Sequence, residues 1–268
     1  MARKPTIQEI QEYIDHKGIM GLQGARIETI SEGNHLMYRV EAPGQKRWPY
    51  YGIYALRMIN QESYRAGEWI SMKEEYAILK ALEHTRIGPK VYALDEGFST
   101  PFLIQEFVKG TCFNDLKPLS QELLIRAVKA IAILNSYDVD LKTLPFLRKY
   151  TARSYERSGM RWLYRLGYAV VHSGDKDPAG VLKWVAKILP LALRAQRIIS
   201  RFAPPSSKFA LHLDSAHCGN TYWRDGRAIF LNWEKVSYRD DDSFTLVRLA
   251  ISVGENGEVS QDMFDMLI

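Results

Sequence analysis

Cysteine is scarce in this chain: among 268 residues only Cys112 and Cys218 occur. They lie far apart and form no Cys-x-x-Cys, so neither a zinc cluster nor a disulfide framework is indicated. Long apolar runs are missing as well. No stretch approaches the roughly 20 residues of a membrane span. Met1-Ala2-Arg3-Lys4 leads into polar Gln8-Glu9 rather than a signal-peptide core, and the expected location is cytoplasmic. There is no internal repeat and no low-complexity tract. Acidic side chains are sparse in one region only: between Lys142 and Arg201, thirteen Lys or Arg stand against Glu156, Asp175 and Asp177. The net charge of +5 is concentrated there.

What is present is ordinary for a globular protein. The chain is 46% hydrophobic and 25% charged, and long enough to bury a core in one large domain or two lobes. Ile7, Ile10, Tyr13 and Ile14 recur at helical spacing between Thr6 and Lys17. Segments 25–30 and 36–41 alternate around Ser31-Glu32-Gly33-Asn34, which predicts strand, turn, strand. A polar loop from Ala42 to Pro49 precedes a third strand over 51–59 carrying Arg57. A helix over about 71–83 places Glu75 beside Tyr76, Leu79 and Leu82. Strands over 91–98 and 102–108 complete a small sheet, and Gly110 ends it. From Ser120 onward helical periodicity takes over: 122–137, about 148–171, and 179–202, where Pro190 must kink or divide the helix. Pro204-Pro205-Ser206-Ser207 closes that block. The expected fold class is α+β, with a small β-rich lobe over 1–110 and a larger helical lobe over 111–268.

The chemistry concentrates in Ala210-Leu211-His212-Leu213-Asp214-Ser215-Ala216-His217-Cys218-Gly219-Asn220 and Ile229-Phe230-Leu231-Asn232-Trp233-Glu234. Phosphoryl transfer requires a carboxylate to orient an attacking hydroxyl and accept its proton, and oxygen ligands for the cation that bridges the phosphates. A polar loop whose Asp and Asn only satisfy turns is the alternative reading of these residues.

His212-x-Asp214-x-x-His217-x-Gly219-Asn220, then Leu231-Asn232-Trp233-Glu234 and Asp240, resembles the H-G-D-x-x-H-P-G-N, I-D-W-E and G-D-P signature of the aminoglycoside phosphotransferase and choline kinase family. That family has the protein-kinase-like fold. Ser31-Glu32-Gly33-Asn34 resembles its nucleotide loop, Ala55-Leu56-Arg57 its third-strand basic residue, and Glu75-x-x-x-Leu79-x-x-Leu82 its helix-borne glutamate. Pro101 to Gly110 resembles the strand and hinge that hold adenine. The motifs follow family order over 25–246, with weak similarity from 140 to 205. The resemblance implies an ATP- and Mg²⁺-dependent transfer of phosphate to a small-molecule hydroxyl. Asp214 would be the catalytic base, braced by His212. Asn220 and Asn232 would be the metal positions. Arg57, paired with Glu75, would contact the α/β-phosphates, Gly33 and Asn34 would cradle phosphate, and the Glu106 carbonyl and Val108 amide would hold adenine.

Several residues depart from the signature. Leu213 and Cys218 replace Gly and Pro. Asn232 stands where the family has a metal-binding Asp, and a neutral carboxamide weakens both ligation and charge neutralisation. Glu234 on the same face of an extended segment, or the Asp240-Asp241-Asp242 run, could compensate. The alternative is a chain that binds nucleotide poorly, or a nucleotide-binding pseudokinase or regulatory protein. Lys149, Arg153, Arg157, Arg161 and Arg165 recur every fourth residue and form one stripe of a helix. Such a stripe is either a solvated face or a surface suited to an anionic acceptor or partner. No nucleic-acid recognition motif accompanies it.

Overall fold

The computed structural model describes residues 4–42, 52–61, 70–116, 119–147, 149–150, 209–240 and 244–255, with scattered helical positions between 179 and 197. The first helix, α1 (Ile7–Lys17), begins at a capping box in which Thr6 accepts from the Glu9 amide and the Glu9 side chain returns to the Thr6 amide. These contacts satisfy two of the donors a helix start leaves open. Gly18 ends it in the left-handed conformation, φ 63°, where a glycine carries no Cβ penalty. Ile10 and Ile14 face inward, as their spacing requires.

A five-stranded sheet follows, built from β1 (Arg26–Glu32), β2 (His35–Glu41), β3 (Ile53–Ile59), β4 (Val91–Asp95) and β5 (Phe102–Glu106) in the order β1-β2-β3-β5-β4. Each neighbouring pair is antiparallel. One face of the sheet takes α1 into a core of Ile10, Ile14, Tyr38, Val40, Tyr54 and Phe102. Between β3 and β4 runs α2 (Met72–Ala81), started by a second capping box from Ser71 and Glu74. Its inward face carries Ile78 and Leu79 along with Glu75.

Past the hinge, β6 (Thr111–Cys112) leads to α3 (Gln121–Asn135). Two small sheets complete the second lobe: β9 (Thr221–Arg224) lies between β10 (Arg227–Phe230) and β6, and β11 (Val236–Arg239) lies between β7 (Lys149–Tyr150) and β8 (Ala210–Leu213). The last described helix is α4 (Phe244–Glu255). One apolar core spans both lobes, joining Ile78 and Leu79 of α2 to Leu124 and Ile131 of α3, Leu211 of β8 and the fully buried Trp233. Gly88 is small because a Cβ there would come 2.9 Å from Leu79 and 3.1 Å from Trp233. The two-lobed α+β expectation is therefore what the chain adopts. No helix among the described residues is long and apolar enough to cross a membrane.

The structure corrects the reading at one place that matters. Lys149 and Tyr150 form a strand parallel to β11, not the start of a helix. Lys149 therefore leaves the basic helical stripe, and Arg153, Arg157, Arg161 and Arg165 lie outside the described residues. Helical periodicity in the sequence carried no sign of a two-residue pairing that depends on a distant strand.

Candidate active site

Strand β8 delivers His212 and Asp214 to the lobe junction. His212 is fully buried, and its Nδ1 lies 3.0 Å from the Thr245 hydroxyl and accepts from the Thr245 amide at 3.4 Å. The same hydroxyl accepts from the Leu213 amide at 3.1 Å. His212 thus ties the loop to the start of α4.

Asp214 follows directly. Its amide donates to the Lys235 carbonyl at 2.9 Å. The Ser237 hydroxyl donates to Oδ1 and Arg239 Nη2 to Oδ2, each at 2.9 Å. Ser237 and Arg239 alternate onto one face of β11, and Arg239 Nε also donates to Ser237 Oγ at 2.8 Å. The Asp214 side chain keeps 30% of its surface exposed. Burial pushes its carboxyl above the ordinary carboxylate range, against the opposing pull of Arg239, Ser237 and Arg248.

Asn220 ends a short 3₁₀ turn, Cys218–Asn220. Its Nδ2 donates to the Ser215 carbonyl at 3.0 Å and lies 2.8 Å from His217 Nε2. Its Oδ1 accepts from Asn232 Nδ2 at 2.7 Å. Asn232 adopts φ 60°, a left-handed conformation that asparagine tolerates better than most residues. Its carbonyl accepts from the Ser215 hydroxyl. The extended segment expected here is thus interrupted, yet Asn232 and Glu234 do share a partner.

That partner is Arg57. It is 1% exposed, with Nη1 donating to Asn232 Oδ1 at 2.8 Å and Nη2 to Glu234 Oε2 at 2.9 Å. Both His35 ring nitrogens lie within 3.3 Å of Nη2. Its contact with Glu75 is looser, Nε to Oε1 at 3.4 Å. The expected Arg57–Glu75 pair therefore exists, but Glu234 holds Arg57 more closely. Burial and the Arg57 charge lower His35 to about 2, so the ring is neutral. Glu75 is fully buried, and desolvation pushes it up to about 7 although Arg57 and a Trp233 backbone hydrogen bond oppose this and Glu234 adds to it.

The remaining expected residues stand apart from this network. Gly33 and Asn34 form the exposed tip between β1 and β2, pinned by Asn60, whose Nδ2 donates to the Gly33 carbonyl at 2.9 Å and whose amide donates to the Asn34 carbonyl at 3.1 Å. A Cβ at Gly33 would meet nothing within 4 Å. Crowding therefore does not dictate glycine there, and the backbone stays open to approach. The residue after the tip is His35, which returns the chain to Arg57. Glu106 ends β5, and its carboxylate binds Arg224 at 2.5 Å in a cleft of about 1040 Å³ that also includes Lys90 and Tyr92. Val108 is half-buried in the hinge between β5 and β6. Sequence reasoning missed Ser237, Arg239, Thr245, Ser215 and His35. Only Ser237 and Arg239 carried a usable signal, their alternation after Glu234.

Asn220 and Asn232 are brought together as expected, but their donor set does not fit a hard dication. Mg²⁺ requires oxygens in near-octahedral array at about 2.0–2.1 Å. Here one carboxamide oxygen accepts from the other's amide and the second accepts from a guanidinium. The neighbouring carboxylates of Glu234 and Asp214 are held by Arg57 and Arg239. Among the described residues no group of three or more His, Cys, Asp or Glu is placed to hold a metal.

Solved structures share this architecture. A spectinomycin phosphotransferase complexed with ADP and spectinomycin superposes with a TM-score of 0.70 at 12% identity, over 99% of this chain and 79% of that one. A choline/ethanolamine kinase family protein from Mesorhizobium loti gives 0.64 at 16% identity, over 97% and 74%. An ethanolamine kinase from Plasmodium vivax gives 0.64 at 14% identity, over 98% and 74%. No sequence-family model matches the chain, and no curated protein matches it. The fold is that of the small-molecule kinases.

Proposed function

We propose that this chain binds ATP between its lobes and transfers the terminal phosphoryl group to a hydroxyl of a small molecule, in the manner of the aminoglycoside phosphotransferase and choline kinase family. The observation that carries the reading is Asp214. Its carboxylate is held at two points but partly exposed, and it adjoins Ser215, which links Asn220 to Asn232. A carboxylate offers about four lone-pair positions, so the bonds from Ser237 and Arg239 leave capacity to accept from an acceptor hydroxyl. Burial makes that carboxylate a stronger base than an exposed one. In this reading the hydroxyl donates to Asp214 as it attacks the phosphorus in line, and Asp214 takes its proton.

The lobes divide at Gly110, with 1–110 holding nucleotide and 111–268 the acceptor. Main-chain groups of Glu106 and Val108 receive adenine, and the open tip at Gly33 and Asn34 lies over the phosphates. The donor set at Asn220 and Asn232 does not fit Mg²⁺. That misfit favours a second reading, a pseudokinase that binds nucleotide without turning it over. Assay of purified protein with ATP and a panel of hydroxyl compounds separates the two. Transfer that falls at least about 10²-fold in Asp214→Asn, with nucleotide affinity kept, supports the enzyme. Nucleotide binding with no transfer to any acceptor selects the second reading.

A further inference from the structure

We infer that this chain receives the phosphate groups of its nucleotide without a divalent cation, through the Asn232 carboxamide backed by the Arg57 guanidinium. The inference rests on the nucleotide reading of the cleft and deepens it.

The orientation of the two carboxamides follows from their partners. Arginine can only donate, so the group 2.8 Å from Arg57 Nη1 must be the oxygen of Asn232. Its amide nitrogen then faces Asn220, 2.7 Å away, where an oxygen accepts. Asn220 cannot be turned over, because its own nitrogen serves the Ser215 carbonyl at 3.0 Å. A flip of Asn220 would oppose two acceptors. The pair is therefore locked in orientation, and each oxygen on which a metal would rely already gives one of its two lone pairs to a donor.

The same chain of bonds suits an anion. A primary amide carries two hydrogens, and Asn220 takes one from Asn232. The other is available to a phosphate oxygen, on an amide whose carbonyl is polarised by a cation. Charge points the same way. An aspartate at 232 would gather three carboxylates, with Glu75 and Glu234, around one guanidinium, an excess that a dication would balance. Asparagine removes one of those charges and with it part of that need. A guanidinium 2.8 Å from Asn232 Oδ1 also repels a dication at that oxygen.

The test is ATP binding to the full chain, by calorimetry, in excess Mg²⁺ and in EDTA. The expected dissociation constants agree within about threefold, under 1 kcal/mol apart. In Asn232→Asp, which replaces a donor by a charged acceptor, metal-free affinity should fall about tenfold or more, and Mg²⁺ should restore it. Aspartate also tolerates the left-handed backbone at this position. Asn232→Ala provides an independent arm: it should weaken metal-free binding without creating a Mg²⁺ requirement. Binding by the parent that collapses in EDTA overturns the inference and leaves the nucleotide reading intact. So does metal-free binding to Asn232→Asp as tight as to the parent. If ATP binds under neither condition, the nucleotide reading fails. Inorganic tripolyphosphate then decides what survives: metal-free, saturable binding that Asn232→Asp weakens keeps a metal-free phosphate site at Asn232, though not one for a nucleotide, and its absence ends the inference.

Discussion

Replacing Arg57 by methionine should expose how the lobe junction is balanced. The side chain is 1% exposed, and its guanidinium faces two buried carboxylates, Glu75 and Glu234, plus the Asn232 oxygen. Methionine fills much of the volume but leaves both carboxylates without a counter-charge. Breaking a buried pair in this way costs about 3–5 kcal/mol. For a chain of this size each kcal/mol lowers Tm by about 2–4 °C, so a drop on the order of 10 °C is expected at pH 8.

The loss should depend on pH, with a definite sign. Glu75 in the folded parent lies at about 7, above its ordinary 4.5. A carboxyl raised by folding favours the native state most below its unfolded value, and that contribution is lost as pH rises through the folded value. Removing Arg57 takes away the influence that lowers Glu75, so the window of loss extends above 7. The deficit of the variant against the parent should thus be large at pH 8 and smaller at pH 5, where the Glu75 carboxyl holds its proton. Thermal and urea unfolding at pH 5, 7 and 8 measures it. A loss below about 1 kcal/mol at pH 8, or one equal at all three values, would refute the argument that this is a buried charge balance rather than a packing site.

Transfer activity should fall on acidification with a midpoint above the roughly 3.9 of a free aspartate, because burial raises Asp214. In Arg239→Gln the opposing positive charge is gone and the midpoint should move further up; a pH–rate profile that does not respond would detach Asp214 from the rate. Ser71→Ala should cost about 1 kcal/mol through loss of the α2 cap, read as a lower urea midpoint with unchanged m-value. Gly110→Ala would bring a Cβ within 2.6 Å of the Trp223 carbonyl oxygen. It should destabilise by about 1–3 kcal/mol and disturb the hinge, seen as weaker nucleotide binding in calorimetry. The acceptor is expected not to be a polycationic aminoglycoside, since the basic segment from 142 to 201 would repel one; robust, salt-insensitive phosphorylation of kanamycin-like compounds would contradict this.

Elements with strong local signals were legible. The α1 and α2 helices could be read from the spacing of Ile7, Ile10, Tyr13 and Ile14 and of Tyr76, Leu79 and Leu82, and the β1–β2 turn from Gly33-Asn34. Strand ends were less so: β4 and β5 stop at Asp95 and Glu106, short of the expected ends at 98 and 108, because pairing partners rather than composition end a ladder. The pairing of Lys149 with Tyr238 was invisible for the same reason. At the site, the order of motifs marked Asp214, Asn220, Asn232, Arg57 and Glu75. It did not mark Thr245 or His35, whose roles come from what they meet.

The sequence by itself determined which residue types stand at which positions, and hence that a carboxylate follows a histidine strand and that a carboxamide replaces a carboxylate at 232. Those are covalent facts, and local periodicity adds the elements that carry them. Only the tertiary structure decided what the substitution does. Arg57 and Asn232 are 175 positions apart, and whether an amide offers its oxygen or its hydrogens depends on the neighbours folding supplies. Here β3 brings a guanidinium to the oxygen and the 3₁₀ turn brings an acceptor to the nitrogen, so the position expected to hold a cation is committed to hydrogen bonds instead.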